Sequence, residues 1–161
     1  MKTVSTLFKA AVLSCLIATV SGCASNLPTY HEMESELPRL RAGYARVFYY
    51  CNQPAESTRQ HDFICSLGDD PVGMVSTREF LFVDRPAGRY EINVKAGSNP
   101  LLPPQHFALD LDVGDVRYVQ MQMKFTYPVQ IGLKLAEADK GVEDLKTCTY
   151  VGKPLPTHPM R

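Results

Sequence analysis

The chain has 161 residues, of which 45% are hydrophobic, with 17 Lys and Arg balancing 17 Asp and Glu. Neutrality leaves no basic field to hold nucleic acid, and the length sets a single domain with a real core once a leader is set aside. With 12 Pro, 10 Gly, no Trp and plentiful Tyr, Phe and Val, the composition is that of short strands joined by turns.

Residues 1–22 contain Lys2 and Lys9 and no acid, and the run from Ala10 to Val20 is apolar except for Ser14 and Thr19. A basic start, a short apolar core and a small-residue exit form the layout of a secretory signal. The run is well short of the about 20 apolar residues that a spanning helix needs. It exits through Val20-Ser21-Gly22-Cys23, which resembles the lipobox of bacterial lipoproteins. That resemblance implies a diacylglycerol on the Cys23 thiol, cleavage before Cys23, and acylation of the new amine. Each buried methylene contributes about 0.8 kcal/mol and one chain binds only marginally, so two or three chains would make attachment effectively permanent. Ala24, not an acid, follows Cys23. By resemblance to the sorting pattern of Gram-negative lipoproteins, this implies the outer membrane, facing the periplasm, ahead of the inner one. Loss of Lys2 and Lys9 leaves the mature chain mildly negative.

Residues 24–42 hold Pro28, Pro38 and interspersed charges without a sustained apolar period. They read as a tether, with a short helical turn around Glu32 to Glu36, reaching roughly 60 Å from the lipid if fully extended. The stretch 44–51 (YARVFYYC) is rich in β-formers and apolar on both faces, as a covered central strand is. Further strands are expected at 63–67, 72–75 and 79–83, separated by the polar loop 52–61 and the turn Gly68-Asp69-Asp70-Pro71. After the turn Arg85-Pro86-Ala87-Gly88 the alternation is clearest. Tyr90, Ile92 and Val94 share one face of 89–95, and Phe107, Leu109, Leu111 and Val113 one face of 105–113. After the turn Gly114-Asp115, Val119, Met121, Met123 and Phe125 share one face of 116–127, with Tyr118, Gln120, Gln122 and Lys124 on the wet face; Val129, Ile131, Leu133 and Leu135 share one face of 129–135. Strands with one wet and one apolar face need a second layer, so the expected fold is an all-β, mainly antiparallel, two-sheet sandwich. One short C-terminal helix at 139–147 is expected, capped by Asp139 and weakened by Gly141. The expected organisation is a signal peptide over 1–22, a lipidated tether over 23–42, a sandwich over 43–148 and an irregular tail over 149–161.

Several segments resemble the DUF2846 family of bacterial lipoproteins. A-R-V-F-Y-Y at Ala45 to Tyr50 is similar to its opening strand, and F-V-D-R-P-A-G-R-Y-E-I at Phe82 to Ile92 to its aromatic strand, P-x-G turn and next strand. L-D-V-G-D-V-R-Y-V at Leu111 to Val119 is similar to a later strand, turn and strand. The chain departs from the pattern at Cys51, where a basic residue often stands, and at Gly68-Asp69-Asp70-Pro71, which replaces a D-G hairpin. The resemblance implies fold and location and brings no catalytic residues.

Cys15 leaves with the signal and Cys23 takes lipid, so Cys51, Cys65 and Cys148 remain. In an oxidising compartment two of them can pair. A Cys51–Cys65 bond would close a loop between the first two strands and contribute about 3 kcal/mol on the chain-entropy model; the alternative is three buried reduced thiols behaving as small apolar residues. Cys51, His61 and Cys65 lack the spacing and fourth ligand of a zinc site, and a Cys-His nucleophile is disfavoured because Cys65 falls on an apolar strand. Asp110, Asp112 and Asp115 do not make a calcium loop, since the closing position is Met121. No cofactor is expected. Tyr44, Phe48, Tyr50, Phe80 and Phe82 are either core or an exposed aromatic contact surface for a glycan or peptide. The expectation is therefore a membrane-anchored, non-enzymatic binding domain that contacts a periplasmic protein or glycan. A small thiol-dependent hydrolase and a structural subunit of an envelope assembly are the alternatives.

Overall fold

Alternation decides the strands, and the strands sort into two sheets. The computed structural model describes residues 27–53, 62–97 and 99–153, so the expected signal peptide, Cys23, His61 and the last eight residues lie outside the described residues. Nine strands form among the described residues: β1 (Tyr44–Cys51), β2 (Phe63–Leu67), β3 (Asp70–Val75), β4 (Glu79–Pro86), β5 (Gly88–Ala96), β6 (Gln105–Leu111), β7 (Val116–Lys124), β8 (Gln130–Ala136) and β9 (Thr149–Tyr150). Two helices, α1 (Tyr30–Glu34) and α2 (Ala138–Leu145), flank them. One sheet has the order β8-β7-β1-β4-β9 and the other β3-β2-β5-β6. Pairing is antiparallel except for β1 with β7 and β4 with β9.

The expected sandwich is what forms, and β1 is central in it, as an apolar pattern on both faces requires. Its odd residues face the second sheet: Tyr49 donates its hydroxyl to the Ser66 carbonyl across the interface at 3.2 Å. From β7, Met121 presents its sulfur to the Cys65 thiol at 3.4 Å. The even residues of β1 face the other way, under the helices. Phe48 packs against Tyr30 of α1, Phe82 of β4 and Tyr118 of β7, and Tyr50 donates to Asp144 of α2 at 3.0 Å.

This third layer corrects several expectations. Tyr30 and Met33 are buried at 5% and 1% exposure, so the packed domain begins before Tyr44 and takes in part of the stretch read as tether. The helical turn lies earlier than expected, because Thr29 and Glu32 cap it reciprocally, side chain to backbone in both directions. Tyr118 and Gln120, expected on a wet face, are buried beneath α2. Val113 and Phe125, expected in the core, are 66% and 63% exposed because β6 and β7 end before them. Helix α2 starts at Ala138 after Glu137, which makes no side-chain cap bond, so Asp139 is not the cap. Gly141 does not weaken the helix so much as seat it, since a Cβ there would collide with the base of the Tyr118 ring. Thr149 and Tyr150, expected in an irregular tail, pair with Glu79 and Phe80 as a short ninth strand.

A buried polar network ties α2 to the sheet. The Asp144 carboxylate accepts from Tyr50, from Gln120 at 3.3 Å and from Lys140 at 2.5 Å, and Gln120 also donates to Asn52 at 2.7 Å. Asp144 is 4% exposed, a position a carboxylate holds only when its oxygens are hydrogen-bonded.

Candidate functional site: a cleft along the open edge of β4

Strand β9 is only two residues long, and this is what shapes the site. It covers β4 at Glu79 and Phe80, then turns away at Gly152 and Lys153, where the Tyr150 hydroxyl donates to the Lys153 carbonyl at 2.8 Å. The rest of β4 is left without a neighbouring strand on that side among the described residues.

The direction of the backbone groups follows from parity. Val151 donates to the Phe80 carbonyl at 2.9 Å, so Phe80 points its polar backbone groups away from β1. The even residues of β1 point theirs at β7, as the Arg46 N–H to Asp115 carbonyl bond at 2.8 Å shows. The pairs Phe48↔Phe82 and Arg46↔Asp84 are therefore the wide pairs of the antiparallel ladder. Phe82 and Asp84 consequently present their N–H and C=O groups to the open edge.

Beside that edge lies a cleft of about 280 Å³. Its floor is β4 from Leu81 to Arg85; Pro71 and Val72 of β3 form one wall, and Tyr150 with Lys153 the other. Phe82, Val83, Asp84 and Arg85 are all half-buried.

Two ion pairs fix the charged side chains here. Arg46 grips Asp84 with two bonds of 2.7 and 2.8 Å, gives a third to the Pro38 carbonyl at 2.8 Å, and lies 4.5 Å from the centre of the Phe82 ring. Its side chain is 7% exposed. Arg85 reaches Asp70 of β3 at 3.2 Å, bridging the two sheets at the cleft. Asp84 is thus already neutralised, while Lys153 is exposed and cationic at the rim.

The aromatic set divides between core and edge. Phe48, Tyr50 and Phe80 are at most 2% exposed, so they do not form an exposed contact surface. The surplus rings of β1 and β4 are covered by Tyr30, Tyr118 and Tyr150. Tyr44 is half-buried, with Arg41 over its ring at 5.8 Å, and it does not line the cleft. Of the five, only Phe82 does.

Cys51, Cys65 and Cys148 are free and buried, which corrects the Cys51–Cys65 bond. Cys51 stands on β1 and Cys65 on β2, in different sheets. Cys65 faces Met121 and the Phe63 carbonyl, whereas at Cys51 the Arg78 N–H donates to the backbone carbonyl at 2.7 Å. The cysteine that approaches Cys51 is Cys148, whose thiol lies 3.7 Å from the Cys51 carbonyl. Burial pushes all three thiols up, Cys148 to about 12, the opposite of what a nucleophilic thiolate requires.

Sequence reasoning missed Arg46, Asp84 and Lys153 as members of a site. The signal was available for the first two: a charge in the middle of an apolar strand, and an aspartate in F-V-D-R-P at the register where an antiparallel partner would place it. No protein-family model matches the chain, and no curated protein is similar to it. The likeness to DUF2846 therefore rests on the quoted segments alone.

Proposed function

We propose that this chain is a lipid-anchored envelope protein whose sandwich holds an extended polypeptide along the open edge of β4 and performs no chemistry on it. The observation that carries the reading is the edge of β4 at Phe82 and Asp84, set in a cleft and paired with no strand among the described residues, with only the Arg85 side chain donating to the Asp84 carbonyl at 3.5 Å. An exposed strand edge is a template for another chain, and natural proteins cover or blunt such edges unless they use them. Strand addition supplies affinity through main-chain hydrogen bonds and specificity through pockets for alternate side chains. Here the half-buried edge strand at Phe82 and Val83 and the groove beside Val72 would receive those side chains. A cleft of about 280 Å³ falls just under the usual range for small-molecule sites, and its backbone donors and acceptors repeat at strand spacing. A glycan is the weaker partner, because most of the rings that would stack on sugars are in the core.

Export and anchoring are argued from Val20-Ser21-Gly22-Cys23 and place the partner in the periplasm. The buried, strongly protonated thiols count against the hydrolase alternative.

Site-specific photo-cross-linking in cells tests the proposal. A photoreactive residue in place of Lys153, at the cleft rim, should give a discrete polypeptide adduct. The same residue in place of Leu135, on β8 at the far edge of the sheet and 41% exposed, should give none. No adduct from position 153, or the same pattern from both positions, would sink the proposal.

A further inference from the structure

The strand registers place chain ends and loops at one of two ends of the sandwich. Cys51 pairs with Glu79, Glu79 with Thr149, Phe63 with both Val75 and Ala96, and Lys124 with Gln130. The β5–β6 connection, the β7–β8 hairpin tip and the start of β9 therefore share the end at which β1 finishes. Thr29 bridges to Thr149 at that same end, so the packed chain also enters there.

The two most exposed large apolar side chains among the described residues lie at this end. Leu101 is 91% exposed on the β5–β6 connection, and Tyr127 is 105% exposed on the hairpin tip beside Phe125 at 63%. The opposite end exposes Val113 and Val116 but also the carboxylates of Asp69 and Asp112. Isolated exposed apolar residues need no explanation; two nearly fully exposed ones on loop tips at the end where the chain enters, across the sheet from β9, do.

Chain length supplies the explanation. The first described residue is Leu27, and between Cys23 and Leu27 the backbone can span at most about 14 Å. If Cys23 is lipidated, the domain is held against the bilayer with the Thr29 end nearest to it. We infer that the 99–104 and 125–129 loops dock into the membrane interface, with Tyr127 and Leu101 inserted at headgroup level. The inference rests on the anchor reading of the proposed function. Tyrosine favours the interface, where its ring is apolar and its hydroxyl wet. Two loop tips would bind a bilayer weakly from solution, but a short leash makes the contact intramolecular and raises its effective concentration. Docking would fix how the domain stands on the membrane and leave the β4 cleft on the flank, open to the periplasm.

The absence of tryptophan gives a clean test. Full-length protein carrying Tyr127→Trp, and separately Leu101→Trp, is purified and placed in vesicles of phosphatidylethanolamine and phosphatidylglycerol containing brominated lipid. Mass spectrometry of the first mature peptide reports the lipid on Cys23 independently. With lipid present, the introduced indole of each variant should show blue-shifted emission and quenching by shallow bromines, while that of Val113→Trp at the opposite end should show neither. A lipidated protein in which the Tyr127→Trp and Leu101→Trp variants emit and quench like the Val113→Trp control would overturn the docking and leave the anchor intact. A blue shift without bromine quenching, growing with protein concentration, would overturn it in favour of contact between copies. An unmodified Cys23 would take down the anchor reading and the docking together.

Discussion

Arg46 shows how one residue can hold both a fold and a site. Its guanidinium is nearly buried and is satisfied by the Asp84 carboxylate, the Pro38 carbonyl and the Phe82 face. Removing one member of a buried pair leaves the other charge uncompensated, which typically costs about 3–5 kcal/mol. Asp84 is 23% exposed, so water relieves part of that, and Arg46→Ala should destabilise by about 3 kcal/mol. Asp84→Ala should cost a similar amount, because it strands the more deeply buried partner. The double mutant should cost clearly less than the sum, with a coupling of about 2 kcal/mol. Urea denaturation of the four proteins measures this. Strict additivity would mean that the Arg46–Asp84 ion pair contributes nothing to stability. The pair was legible in principle, since Arg46 is the one charge on β1 and Asp84 one of three on β4. Reading it required the register, which alternation alone does not give.

At the level of elements, the periodic segments were legible and the short ones were not. Strands from 44–51 through 130–136 fall within a few residues of where alternation placed them, because a half-buried strand writes its period directly into the sequence. Helix α1 has five residues and strand β9 two, too few for either period to register. The capping box at Thr29 and Glu32 was the one local sign of α1, and Tyr30 with Met33 three apart the sign of its buried face. The edge cleft was not legible at all, since it exists only because β9 stops after two residues. The packing of α1 has a direct consequence. If residues 29–34 only tethered the domain, Met33→Ala would leave stability unchanged. With Met33 at 1% exposure against the core, the substitution should cost about 3 kcal/mol, the middle of the range for buried Met to Ala. A thermal or urea midpoint equal to that of the unaltered protein would return α1 to the tether.

For the whole molecule, the sandwich takes its core from tyrosine and cysteine to an unusual degree, and that sets how it responds to alkali. Burial pushes up the phenols of Tyr30, Tyr49, Tyr50, Tyr118 and Tyr150, with Tyr118 reaching about 12, and the Asp144 carboxylate adds to the rise at Tyr50. Burial raises the three thiols in the same way. Each of these groups is neutral when protonated, and the folded state holds the proton more tightly than the unfolded chain does. The stabilisation is therefore complete below the unfolded values, about 8.5 for Cys and 10 for Tyr. It is lost as the pH rises through the folded values, because the unfolded chain releases its protons first. Stability should stay level up to about pH 8 and fall steadily towards pH 12. Tyrosinate absorbance followed together with circular dichroism tests this. The five buried rings should ionise only in the step that abolishes the β signal. If all eight tyrosines instead ionised together near pH 10 with the β signal unchanged, the rings would be in contact with water, and the three-layer core built on β1 would be wrong.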